Sequence, residues 1–94
     1  MLRAVAHDWT FLTNHAHVLV AIARDPEARL RDVAAQVGIT ERATQAIVRD
    51  LVDAGYLTRE RVGRRNRYQI DERLPLRHPL ERHQDVSIIL SPLR

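Results

Sequence analysis

Residues 59–70 read Arg-Glu-Arg-Val-Gly-Arg-Arg-Asn-Arg-Tyr-Gln-Ile, and no other stretch of the chain restricts its fold so strongly. Five arginines (Arg59, Arg61, Arg64, Arg65, Arg67) stand there against one acid, Glu60, and that much unpaired charge cannot enter a core. A single glycine, Gly63, separates Val62 from the strand formers Tyr68 and Ile70, so the segment predicts a β-hairpin with an arginine-covered tip. Leu57 and Val62 fall on opposite parities, which predicts a bulge or a local twist in the first strand. The other residues hold ten basic against eleven acidic side chains, so the positive charge is local to the hairpin. Such a hairpin suits a phosphate backbone, because each guanidinium adds an electrostatic contact and a planar donor fork.

Ninety-four residues allow one domain with a single core. The absence of cysteine excludes disulfides, zinc-thiolate sites and thiol chemistry, and fits a reducing compartment. All fifteen cationic residues are arginine. No apolar run approaches the roughly eighteen residues of a membrane span. Asp8, His15 and His17 break up the early region and argue against a cleaved signal peptide, so a cytoplasmic location is expected, with no membrane association.

Around the hairpin the pattern is helical. Thr13 or Asn14 offers a cap before an apolar face at Ala16, Leu19, Val20 and Ala23, which predicts a helix over residues 14–24, ended by Asp25-Pro26-Glu27. Leu30 reads as a short strand, and residues 31–37 as a two-turn helix with Val33, Ala34 and Val37 inward and Gly38 as its stop. Thr40 then caps a third helix to about Asp53, whose buried stripe is Thr44, Ile47, Val48 and Leu51. Gly55 ends that helix ahead of the hairpin. Beyond Ile70, Leu74-Pro75-Leu76 and His78-Pro79 form a non-helical bridge, and proline in a first-turn position predicts a last helix over residues 79–90. Tyr56, Tyr68 and Trp9 read as core.

Two helices joined by a tight Gly38-Ile39-Thr40 turn, then a basic hairpin, are the order of a winged helix-turn-helix. The expected class is therefore α+β, mainly α, with a two- to three-stranded wing sheet and flanking N- and C-terminal helices. Residues 30–70, LRDVAAQVGITERATQAIVRDLVDAGYLTRERVGRRNRYQI, resemble the winged DNA-binding domains of small bacterial transcription regulators of the ArsR and MarR type. "VAAQVGIT" and "LVDAGYLTRERVGRRNRYQI" carry the resemblance most specifically, with Gly38, Gly55 and the wing at the family's positions.

The third helix supports a double-stranded DNA partner in its own terms. Its buried stripe leaves Arg42, Gln45, Ala46 and Arg49 on the free side, and Arg42, Gln45 and Arg49 at i, i+3, i+7 point together. Arginine and glutamine match guanine and adenine edges in the major groove, while Ala43 and Ala46 permit close approach and contact with thymine methyls. Thr40 at the helix N-terminus would face a phosphate. Against this, Glu41, Asp50 and Asp53 also lie on the helix. On the wing, Arg64, Arg65 and Arg67 should meet phosphates or enter the minor groove with Asn66, whereas Arg59 and Arg61 lie lower and are placed to pair with Asp53 or Glu60.

The resemblance also implies a homodimer made by the first and last helices, through Leu19, Val20, Leu80, Val86, Ile89 and Leu90. Metal sensing of the ArsR kind is a lesser alternative, since His15, His17, His78 and His83 lie near those helices. However, Leu76 stands two before His78 and Val86 three after His83, so the family's Asp-x-His and His-x-x-Glu pattern is unmatched and no metal or other cofactor is expected. A small-molecule effector is left undetermined, and a winged domain that binds an acidic protein is the rival from another class. No nucleophile with a base, phosphate loop or spaced carboxylate pair supports an enzyme.

Overall fold

The computed structural model describes residues 9–94. Helix α1 spans Asn14–Arg24, α2 Leu30–Val37, α3 Glu41–Asp53, strands β1 Leu57–Val62 and β2 Arg65–Ile70, and helix α4 Ser87–Leu93. Four helices and one two-stranded antiparallel sheet make a mainly helical winged helix-turn-helix.

Threonines start two of the helices. The Thr13 hydroxyl accepts from Ala16 N (3.3 Å) and the Thr40 hydroxyl from Ala43 N (3.0 Å), each filling one otherwise open amide donor of a first turn. Between α2 and α3, Gly38 adopts φ +87°, and both Gly38 N and Ile39 N return to the Ala34 carbonyl (2.8 and 3.1 Å). The left-handed conformation turns the chain sharply at little cost only for glycine, and Thr40 then restarts the helix. Thr44, fully buried, is satisfied because its hydroxyl donates to the Thr40 carbonyl at 2.9 Å.

Val18 and Ile22 of α1, Val33 of α2, Ile47, Val48 and Leu51 of α3, Leu57 and Tyr68 of the sheet, and Val86 and Leu90 near the C-terminus form one core. Burial of this kind supplies most of the stability of a domain this size. Tyr56 is also buried, with its hydroxyl donating to the Pro75 carbonyl. Both tyrosines are therefore core residues, as expected.

Several sequence expectations need correction. Leu30 is not a strand: the Arg29 carbonyl accepts from Asp32 N (2.9 Å) and Val33 N (3.0 Å), so α2 begins at Leu30. The sheet has two strands, and a third reduces to one bond from Tyr68 N to the Pro26 carbonyl (3.0 Å). No bulge interrupts the hairpin, whose register runs regularly from Leu57↔Ile70 to Val62↔Arg65. Opposite parity is resolved simply by Val62 pointing to solvent at the tip. Trp9 is 70% exposed and stacks edge-to-face on Phe11, with centroids 4.9 Å apart, ahead of α1 and outside the core.

The last helix does not start at Pro79. Leu76 N bonds to the Gln84 carbonyl (2.9 Å) and Val86 N to the Leu74 carbonyl (3.0 Å), closing an antiparallel bridge between Pro75 and Asp85. This bridge uses backbone groups that a helix over 79–90 would need, so the intervening residues form turns. Asp85 then accepts from Ser87 N (3.0 Å) and α4 begins at Ser87. Its end is held by Arg24, whose Nε and Nη2 both donate to the Leu93 carbonyl (2.9 and 2.6 Å). Among the described residues, no helix is long and apolar enough to cross a membrane.

Candidate nucleic-acid interface

Helix α3 separates its two sides cleanly. Thr44, Ile47, Val48 and Leu51 are buried, while Arg42, Gln45, Ala46 and Arg49 are exposed and Ala43 is half-buried. The three long polar side chains thus share one free surface running most of the helix length. Asp50 sits on the flank of that surface, where its Oδ2 meets His15 Nε2 of α1 at 2.9 Å. One of the acids that cut the helix's positive charge is therefore engaged with a neighbouring helix. Asp53 lies at the C-terminal end of α3 and remains exposed.

The wing follows from Gly63. Its φ is +63°, and among the described residues no non-glycine residue has positive φ, so the two-residue turn Gly63-Arg64 needs the left-handed conformation at its first position only. That is the requirement of a type II′ turn, whose twist matches antiparallel strands. Register then sorts the charges. Directly opposed residues share a face, so Arg59, Arg61 and Asn66 lie on the side of the buried Tyr68, and Val62, Arg65, Glu60 and Arg67 lie on the other. The arginines consequently cover both faces of the ribbon and, with Arg64, its tip. The charge cluster is visible in the sequence, but this division is not, because it depends on the register.

The expected pairing of Arg59 or Arg61 with Asp53 or Glu60 is not formed. Arg61 Nε instead donates to the Gly63 carbonyl (3.2 Å), bracing the turn. Arg67 lies 3.9 Å from Glu27 Oε2, a partner in the α1–α2 loop that the sequence does not reveal because the two are far apart in the chain.

The residues expected at a dimer contact divide differently. Leu19, Val86 and Leu90 belong to the chain's own core, Val20 and Ile89 are half-buried, and Leu80 is 79% exposed on a turn. Phe11, which the sequence pattern does not single out, is 91% exposed. It edges an open groove of about 680 Å³ whose walls include Leu12, Ala16, Leu76 and Ile89. No group of three or more potential metal ligands occurs among the described residues. His17 Nδ1 lies 3.2 Å from Asn14 Oδ1, and His78 Nδ1 accepts from Leu80 N at 3.0 Å, so both have local structural uses.

A sequence profile described as the MarR family matches residues 9–67, which take in the arm before α1, the three-helix core and most of the hairpin. A search among curated proteins gave no match. The MarR side of the resemblance is thereby supported, while the ArsR side has no counterpart in these comparisons.

Proposed function

Because the chain belongs to the MarR family of winged-helix regulators, whose members are DNA-binding transcription regulators, we propose that it is a homodimer that binds duplex DNA in a sequence-dependent way. Helix α3 enters the major groove with Arg42, Gln45 and Arg49 toward base edges, and Ala43 and Ala46 permit the approach. Thr40 places the α3 N-terminus against a phosphate. The observation that carries this reading is the arginine ribbon with charge on both faces, beside a free helix surface of arginine and glutamine. A ribbon lying flat on one backbone would use one face. Arginines on two faces suit a tip placed between the phosphate walls of the minor groove, about 6 Å apart, with Arg61 and Asn66 toward one wall and Arg65 toward the other.

Titration of duplex DNA at two salt concentrations tests the reading. Affinity should fall steeply with salt and favour some sequences over others, and no binding at low salt would sink it. Gln45→Ala and Arg49→Ala should each flatten preference at particular base pairs, by roughly 1 to 3 kcal/mol for a bidentate contact. Competition with single-base variants of the site checks this, and a uniform loss across all of them would mean that these side chains touch backbone instead.

The dimer uses the apolar side chains that the fold leaves outside, Phe11, Leu80 and Ile88, together with the half-buried Val20 and Ile89. Sedimentation at micromolar concentration should give twice the chain mass. Phe11→Ser with Leu80→Ser should return it to the mass of one chain. A wild-type chain that sediments as a monomer would remove the dimer from the proposal.

A further inference from the structure

Arg67 differs from the other tip arginines in its surroundings. Glu60 is its direct partner in the register, on the same face of the ribbon, and Glu27 approaches it from the α1–α2 loop at 3.9 Å. The loop itself is tied down. Glu27 N donates to Asp25 Oδ1 (3.1 Å), Ala28 N donates to the Asp25 carbonyl (3.1 Å), and the Pro26 carbonyl accepts from Tyr68 N (3.0 Å), one residue beyond Arg67. Glu27 is therefore carried on a short turn that is hydrogen-bonded to the edge of the very strand whose arginine it faces. Its side chain and that of Arg67 are each about half exposed, 49% and 54%, so both can exchange their contact for one with a ligand.

Resting on the DNA-binding reading above, we infer that Glu27 lowers the affinity of the wing for phosphate by holding Arg67 in reserve. Off DNA, the carboxylate partly neutralises the wing on the side of Arg67 and repels phosphates that approach it at random. Arg67 can bind a phosphate fully only by leaving Glu27, so the exchange subtracts from what that contact contributes. The acid therefore costs affinity for every duplex by a similar factor, because the exchange is local to the wing and independent of the bases that α3 meets. The bond from Tyr68 N to the Pro26 carbonyl ties the loop that carries Glu27 to β2 beside Arg67.

Glu27→Gln removes the charge and keeps the shape. It should tighten binding to unrelated duplex DNA by about two- to fivefold at low salt, the range of an exposed ion pair. It should also steepen the slope of log affinity against log salt by up to about one unit, as Arg67 binds a phosphate fully. The preferred site should gain by a similar factor, so the ratio of specific to non-specific binding should stay nearly unchanged. In an Arg67→Ala background the same substitution should change neither affinity nor slope. An equal gain in that background would assign the effect to the general field of one carboxylate, and a loss of affinity in Glu27→Gln would make Glu27 a support for the wing. Either result overturns the inference while leaving DNA binding intact. A wild-type chain that binds no duplex at low salt overturns the DNA-binding reading and this inference with it. Thermal unfolding of all the variants should nearly coincide with that of the wild type, because both side chains are half exposed and a surface pair of this kind contributes little to stability.

Discussion

Replacing Arg61, Arg64 and Arg65 together with alanine is expected to weaken binding to every duplex alike, by about a hundredfold at low salt if each exposed arginine contributes on the order of 1 kcal/mol. The slope of log affinity against log salt should fall by ~0.9 for each phosphate no longer neutralised, or up to ~2.7 for the three. These residues represent both faces and the tip of the ribbon, which is why they are chosen over Arg67 with its acidic neighbours. Preference among sequences should largely persist, because base edges are assigned to α3. Binding measured over a range of salt on preferred and scrambled duplexes separates the two effects. An unchanged slope would remove the wing from the interface. Loss of preference with a normal slope would give the wing a reading function in place of α3.

Leu90→Ala is expected to cost about 2 to 5 kcal/mol of folding stability, the range for emptying a fully buried leucine site. Leu90 has no exposed surface, and α4 is only seven residues long with Pro92 inside it. So short a helix does not hold itself together in water. Leu90, with Val86 and the Arg24 bonds to the Leu93 carbonyl, is what keeps it on α1. Since 1 kcal/mol corresponds to roughly 4–8 °C in a domain this size, the melting temperature should drop by about 10 °C or more. Leu93→Ala, at a partly exposed position of the same helix, should shift it far less. Equal shifts would mean that α4 is not anchored through Leu90.

Legibility of the fold varies with how local its causes are. Helices α1 and α3 are readable at both ends, because Thr13 and Thr40 cap them and Asp25-Pro26 and Gly55 end them within the chain itself. The C-terminal segment is misleading because the competing structure is non-local. Pro79 and a scatter of apolar residues point to a helix, yet Leu74 and Leu76 reach across to Gln84 and Val86 and claim the backbone first. Trp9 misleads for a related reason: its size suggests the core, but the core is already filled by α1, α3 and the sheet, leaving it to Phe11. Of the candidate interface, the exposed triad on α3 follows directly from helical spacing. The contacts of Asp50 with His15 and of Arg67 with Glu27 do not, since each joins elements distant in sequence.

The hydrogen bond from Tyr68 N to Pro26 also fixes how the wing can change length. It points that amide away from β1, so Arg59↔Tyr68 is a pair without mutual bonds, and alternation makes the closing pair Val62↔Arg65 a bonded one. A two-residue turn of this kind requires a bonded closing pair. Adding one pair of residues would present the wrong type to the turn and carry the tip to the opposite pleat. Adding two pairs would restore both and extend the tip by ~6.6 Å. With this turn retained, a wing anchored on Tyr68 can therefore grow or shrink only in steps of four residues, each a fixed increment of reach into the groove.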